Sequence, residues 1–566
     1  MATISLATYI FTRLKQIGVD TVFGVPGDFN LAFLDHIDEV PNLRWAGNAN
    51  ELNAAYAADG YSRIKGFAAI CTTFGVGELS ATNGIAGAYA EHVGLIHIVG
   101  SPTISAEHNK LLLHHTLADG KFDIFNKMSR HITLKTAALD DITTAPAIID
   151  DLIRTGYIYK RPVYVEVPSN LGEEQVPAAR LNTPIDLSLP PNDPAAEKEF
   201  VQEVIDKITK ATKPCILVDA CAVRHDVKNF VADLVNATKY PVYVTPMGKS
   251  AFDEDNERFC GVYVGALSKP DVKESLENSD LILSIGGLLS DYNTGAFTYQ
   301  YHTTNVVEFH SDYCKVKSAV YQGIQMQAAL AKIIKALSSV NLNYVPTPVP
   351  ASVSEYKQVQ KVTSGKITQE FLWRKLSYFL KADDVIVSET GTSSFGILQC
   401  HYPAGVTAIS QVLWGSIGYA LPSSVGAAFA ADEISKDKRV ILFTGEGSLQ
   451  LTVQAISDAF RRHLHPYFFV LNNKGYTIEK LIHGLHAEYN NIQTWDHQKL
   501  CGVFHDKDDY ENYKVSTVQE LNKLWSDPEF NKPTKLRLIE IMLDEFDAPK
   551  NLIGQAKLSE TINSGN

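Results

Sequence analysis

Val440-Ile-Leu-Phe-Thr-Gly445-Glu446-Gly447-Ser448 is an apolar run that ends in a carboxylate bracketed by two glycines and passes into helical spacing from Leu449. Consecutive apolar and β-favouring residues without alternation predict a strand covered on both faces, as in a parallel sheet. The turn behind it is suited to a phosphate. Glycines let the backbone approach, and the free N–H groups at a helix start carry partial positive charge. A carboxylate placed there can hold Mg2+.

Similar runs recur at Thr21–Gly24, Ala68–Thr72, Leu95–Val99, Val163–Glu166, Ile216–Val218, Val242–Val244, Leu281–Ile285, Val385–Ser388 and Tyr467–Leu471, separated by longer helical segments. That alternation predicts an α/β architecture with parallel sheets. Two stretches rich in proline and polar residues, Leu181–Ala196 and Val340–Val362, break the rhythm and read as linkers. A chain of 566 residues exceeds what one core can organise. It divides into 1–182, 192–340 and 360–566, three segments that each read as an open doubly wound parallel-sheet domain.

Bulk properties exclude several partners. Lys and Arg number 51 against 64 Asp and Glu, a formal charge of −13, which repels nucleic-acid backbones and anionic lipid. No apolar run reaches the ~18 residues of a membrane span. Leu6–Ile17, with Arg13 and Lys15 inside it, reads as a helix and not as a leader peptide. Seven scattered cysteines without a C-x-x-C pair fit neither a disulfide framework nor a zinc cage, so a reducing compartment, the cytoplasm, is expected.

The run Tyr467–Leu471 leads into Asn472-Asn473-Lys474-Gly475-Tyr476. Ligands of parallel sheets gather at the carboxyl ends of the strands, so Glu446 and Asn473 are expected on one rim. A carboxylate, an amide and a backbone carbonyl suit a hard cation. The two stretches resemble the thiamine-diphosphate fingerprint GDG…NN, which implies Glu446, Asn473 and the Gly475 carbonyl as Mg2+ ligands, with Gly445, Gly447 and Ser448 against the cofactor. The fingerprint carries Asp where this chain has Glu446. One methylene moves the carboxylate by about 1.5 Å, so either the loop shifts or cofactor retention weakens.

Four further patches carry polar groups. Glu51 opens an Ala-rich helical segment, Asn50-Glu51-Leu-Asn-Ala-Ala-Tyr-Ala-Ala-Asp59. Asp28 stands in Phe23-Gly-Val-Pro-Gly-Asp28-Phe-Asn30, where a strand gives way to a helix and an acid commonly serves as N-cap. His114 and His115 are adjacent, which is expected to aim their rings differently. Glu479 lies one helical turn past the metal loop. Together with the runs T-T-F-G-V-G-E-L-S-A, L-L-L-H-H-T, S-Q-V-L-W-G-S-I-G and G-Y-T-I-E-K-L-I-H-G, these patches resemble the yeast pyruvate decarboxylases from Thr21 to about Glu545.

The resemblance implies non-oxidative decarboxylation of pyruvate, a small 2-oxo acid, to acetaldehyde and CO2, with thiamine diphosphate and Mg2+ as cofactors. It implies Glu51 as the cofactor-activating acid, and Asp28, His114, His115 and Glu479 as the proton-transfer set. Glu389, Thr390, Gly391, Thr392, Gly415, Ser416 and Ile417 would line the cofactor, with Ile417 bending it. Cys221 and His92 would be regulatory. It further implies a homodimer with shared active sites, paired into a homotetramer. Tyr292 and Ser394 fall near the expected substrate pocket, at places where yeast relatives usually carry Phe and Ala. Two readings stand beside this one: decarboxylation of aromatic 2-oxo acids such as phenylpyruvate or indolepyruvate, and a cofactor-binding scaffold with little turnover, supported by Glu446 alone.

Overall fold

A computed structural model describes residues 2–342 and 344–563. Three large sheets organise these residues, beside a two-stranded antiparallel pairing of Thr3–Ser5 with Gln175–Pro177, and two of the large ones share one strand order. In the first, Arg44–Trp45, Thr21–Gly24, Ala68–Thr73, Leu95–Ser101, Pro162–Pro168 and Lys135–Ala138 lie side by side, all parallel. In the third, the order is Thr407–Ser410, Val385–Ser388, Val440–Gly445, Tyr467–Asn472, Leu536–Met542 and Tyr510–Val515, again all parallel. Numbered along the chain, both run 2-1-3-4-6-5, so a structural repeat exists without a sequence repeat.

Equivalent helices of the two units pack on each other. Glu51–Lys65 starts at Asn50, whose side chain accepts from Asn53 N, and stops at Gly66 with φ 87°, where a side chain would be strained. Ala420–Ile434 is apolar on nearly every face and buried accordingly. The helices cross through small residues: a Cβ on Gly60 would fall 2.0 Å from the Ser423 carbonyl oxygen, and one on Gly426 would fall 1.8 Å from that of Ala57. One hydrophobic core runs continuously from Leu6 in the first unit to Leu538 in the third.

The central sheet has separate cores on its two faces. Phe259–Val262, Val242–Val244, Pro214–Val218, Leu281–Ile285 and Val306–Phe309 are parallel, but Tyr313–Val316 and Ala319–Gln322 close the edge as an antiparallel meander. That edge departs from the all-parallel expectation. The linker expectation for Val340–Val362 is also corrected in part. Ala351–Lys361 forms a 3-10 helix in which Val359 is buried and Ser352 Oγ donates to Asp271 (2.5 Å). At the other linker, Asp193 caps the helix Pro194–Lys210, so its last residues are already helical.

Candidate active site

The first rim is built where strands Thr21–Gly24 and Ala68–Thr73 end. Glu51 sits in the first turn of its helix, half-buried, and a Cβ at Gly77 would come within 3.2 Å of its Oε1. Burial raises its carboxyl above the ordinary value, opposed by a hydrogen bond from its own backbone N–H. Asp28 is not an N-cap. That place belongs to Asn30, which opens the helix Leu31–Asp35.

The Asp28 carboxylate instead gathers both imidazoles, with Oδ2 2.5 Å from His114 Nε2 and Oδ1 3.7 Å from His115 Nε2. The expected divergence of the two rings is overturned because His115 adopts φ 64°. This left-handed step turns neighbouring side chains to the same target. Phe29 stacks on His114 at 5.0 Å and meets His115 edge-on.

The second rim belongs to the third sheet. Val440–Gly445 delivers Glu446 as the first residue of the helix Glu446–Thr452, and Tyr467–Asn472 delivers Asn473 beside it. Glu446 is 4% exposed, its Oε1 accepts from Gly475 N (2.7 Å), and burial raises its carboxyl. Asn473 Oδ1 faces only acceptors, 3.1 Å from Glu446 Oε2 and 3.1 Å from the Gly475 carbonyl oxygen, while its amide nitrogen lies 2.8 Å from Thr477 Oγ1. Turning the amide would relieve those oxygen contacts.

With the amide oxygen turned inward, a cation would answer them as well. Thr477 donates its own proton to the Glu545 carbonyl (3.3 Å) and so can accept from the Asn473 nitrogen. Oxygens on adjacent corners of an octahedron about Mg2+ are about 3.0 Å apart for ligand distances of about 2.1 Å. The donor set therefore fits Mg2+, and the extra methylene of Glu446 is taken up by folding its second oxygen onto the Gly475 N–H.

These groups border a cleft of about 480 Å3 lined by Thr390, Gly391, Thr392, Ile417, Gly445, Gly447, Ser448 and Glu479 among others, all between residues 390 and 479. Burial raises the Glu479 carboxyl, again opposed by its own backbone N–H. Gly415 and Ser416 do not line the cleft. Ser416 Oγ instead meets Tyr56 Oη (2.7 Å) in the first unit. Glu51, Asp28, His114 and His115 are also absent from its wall, so the expected residues fall into two groups on two units. An adjoining pocket of about 440 Å3 shares Thr390 with the cleft and contains Tyr292, Ser394, Phe395 and Val412.

Comparison with known proteins then decides the family. Residues 4–124 match "Thiamine pyrophosphate enzyme, N-terminal TPP binding domain", 201–337 the central domain and 389–512 the C-terminal TPP binding domain of such enzymes; thiamine pyrophosphate is another name for thiamine diphosphate. The chain is 58% identical over 564 residues to a pyruvate decarboxylase of Candida glabrata, 56% over 566 residues to that of Kluyveromyces lactis and 57% over 564 residues to isozyme 3 of Saccharomyces cerevisiae, each covering 100% of both chains. The chain belongs to the pyruvate decarboxylase family. Thiamine diphosphate with Mg2+ is accordingly its cofactor pair.

This member of the pyruvate decarboxylase family also contains ties that sequence reading did not give, at Glu389, which was expected at the cofactor, and at Glu91, which was passed over altogether. Glu389, 1% exposed, accepts from Thr390 N (3.0 Å), Ala420 N (3.2 Å) and Thr444 Oγ1 (3.5 Å), joining three segments of the cleft wall. Burial pushes its carboxyl up to about 7. Glu91 is fully buried just past the helix Val76–Ala90, and its Oε1 accepts from Leu413 N (2.8 Å) and Trp414 N (3.1 Å). Its signal was available: an acid at the negative end of a helix is unfavourable unless cations answer it. Arg63 stands 3.8 Å away and Arg224 donates to the Glu91 carbonyl. Cys221 and His92 meet at the border of the first and central units, beside this contact.

Proposed function

We propose that this chain is a thiamine-diphosphate- and Mg2+-dependent pyruvate decarboxylase, a 2-oxo acid carboxy-lyase that releases acetaldehyde and CO2. The observation that carries the reading is the convergence, at a helix start, of Glu446, Asn473 and the Gly475 carbonyl, with the Asn473 amide 3.1 Å from both the Glu446 carboxylate and that carbonyl. These three would hold Mg2+, and Gly445, Gly447 and Ser448 would present backbone N–H groups to the diphosphate. The bound cofactor supplies a sink for the electron pair left by departing CO2.

The chain's own residues do the rest. Glu51, with its raised carboxyl, would keep a proton at hand for the aminopyrimidine. Ile417 would set the bend of the cofactor from the cleft wall. Asp28, His114, His115 and Glu479 would orient the substrate and carry protons as a coupled set. Pro246, Val264, Leu267 and Phe395 give the adjoining pocket an apolar lining. Such a lining weakens solvation of a carboxylate that leaves as neutral CO2.

The pyrimidine-binding, central and diphosphate-binding units would be segments 1–182, 192–340 and 360–566. A homodimer follows in this reading, because the cleft needs acids and histidines that its own wall lacks and a second copy can bring. Exposed Leu31, Val76, Leu111, Leu112 and Leu117 near the first rim, and Leu413, Trp414 and Leu451 near the second, offer apolar surface for it. Pairing of dimers gives the homotetramer. Seven free, buried cysteines agree with the cytoplasm, and among the described residues no helix is long and apolar enough to cross a membrane. Cys221 and His92 would transmit activation by substrate through Glu91 to the Leu413–Trp414 loop. Unchanged sigmoidality in Cys221→Ser removes that role.

The deciding experiment measures acetaldehyde and CO2 from pyruvate, with phenylpyruvate alongside, with and without added thiamine diphosphate and Mg2+. Release from pyruvate that depends on both cofactors is expected. No release at saturating cofactor would overturn the assignment and leave the scaffold reading.

A further inference from the structure

Where the first unit meets the central one, His92, Cys221 and His225 each offer a ligand atom, and the three atoms lie within 4.8 Å of one another. His92 follows the helix Val76–Ala90 in a left-handed conformation, φ 57°. Cys221 belongs to the helix Ala220–Arg224 and His225 caps it, a spacing of four that puts both on one face. Cys221 is 4% exposed and His225 6%. His92 Nδ1 and His225 Nε2 are buried without a hydrogen-bond partner. Such atoms are few in native proteins, and an ion or water is among the reasons for them.

We propose that these three residues form a binding site for a soft monovalent cation, Cu+, held by the Cys221 thiolate and the two imidazoles. Thiolate and imidazole select soft and borderline metals over Mg2+ or Ca2+. Charge then chooses among those. Arg161, Arg224, Lys160 and His310 bear on the two imidazoles, and Asp219, Asp312 and the same two arginines bear on the thiol. Zn2+ with one thiolate would leave a net positive charge among these cations in a buried place, where an uncompensated charge is costly. Cu+ with one thiolate is neutral.

His92 Nδ1 and His225 Nε2, buried without a hydrogen-bond partner, can each give a lone pair in the matching tautomer. Binding forms one Cu–S and two Cu–N bonds and breaks the S–H bond, whose proton leaves to solvent. No electron is transferred. Arg161 Nη2 donates to His92 Nε2 (2.7 Å), and if the ion takes that nitrogen the guanidinium keeps its other contact, the Tyr89 carbonyl.

The test is an anaerobic titration of the metal-free, full-length protein with Cu+ against a chromogenic Cu+ chelator, with Zn2+ in parallel. One Cu+ per chain should resist the chelator and bind at least tenfold more tightly than Zn2+. Cys221→Ser should lose that equivalent, and His225→Gln should weaken it at least tenfold. Cys501→Ser, a buried cysteine of the third unit, should leave the count unchanged, and far-UV circular dichroism checks that each variant is folded. No chelator-resistant Cu+, a full equivalent in folded Cys221→Ser, or tighter Zn2+ than Cu+ at these residues would overturn the proposal. Because bound metal is counted and not turnover, the result is independent of the decarboxylase reading.

Discussion

Asn473 Oδ1 stands 3.1 Å from Glu446 Oε2, oxygen facing oxygen. Two such atoms repel unless a proton or a cation lies between them. Either a cation between them or a turned Asn473 amide, which would then donate to Glu446 Oε2, removes the repulsion, while Gly475 N–H holds the far oxygen of Glu446. The fingerprint's shorter acid would leave the Gly475 donor to find another partner.

Glu446→Gln removes the charge while keeping one oxygen. Loss of partners that only support a metal ligand costs about 10–100-fold in affinity, so loss of the ligand's charge should weaken Mg2+ by about 100-fold. Mn2+ titration followed by electron paramagnetic resonance reads this directly. Unchanged Mn2+ affinity would remove Glu446 from the metal site.

Glu51→Gln should lower kcat by about 100- to 10,000-fold, the usual contribution of a positioned acid or base, with cofactor affinity changed far less. Equilibrium binding of thiamine diphosphate, followed by tryptophan fluorescence, separates the two effects. Equal losses in both would mean that Glu51 only binds.

Glu78 predicts a pH dependence of stability. It is 3% exposed, accepts from Gly75 N and Tyr164 Oη (2.8 Å each), and burial pushes its carboxyl up to about 7 from 4.5. A carboxyl raised on folding binds more protons in the native state. Its contribution is full below pH 4.5 and is lost as pH rises through about 7. Glu78→Gln should therefore gain on the parent by about 3 kcal/mol between pH 4.5 and 8. Denaturant midpoints across that range check the sign, and a constant difference would show that Glu78 does not titrate there.

Gly426→Ala places a methyl 1.8 Å from the Ala57 carbonyl oxygen, a backbone atom that cannot turn aside. Overpacking costs about 1–3 kcal/mol, occasionally more, and this site should be at the upper end. Calorimetry should show a lower Tm. An unchanged Tm would mean that the helices separate easily.

Strand existence was legible because buried parallel strands are plain apolar runs. Val242–Val244, Leu281–Ile285 and Val385–Ser388 coincide end to end with expectation. Tyr510–Val515 and Ala319–Gln322 were not legible, since polar and partly exposed edge strands have no such run. At the site, residue types beside glycines could be read from sequence, but ring direction could not. The convergence of His114 and His115 depends on one backbone angle, and the ties made by Glu389 and Glu91 depend on segments distant in the chain.

The crossing of Glu51–Lys65 and Ala420–Ile434 has a mechanical consequence. With backbones in touch through Gly60 and Gly426, no compressible layer of side chains separates the two helices. The first and third units can neither slide nor rotate against each other without losing their common core, and so they behave as a single chassis. The central unit has cores of its own and is fastened to that chassis by polar ties, Lys249 Nζ to the Cys400 carbonyl, Glu254 to Tyr402 N and Arg224 to the Glu91 carbonyl, so any movement of it must first break those hydrogen bonds.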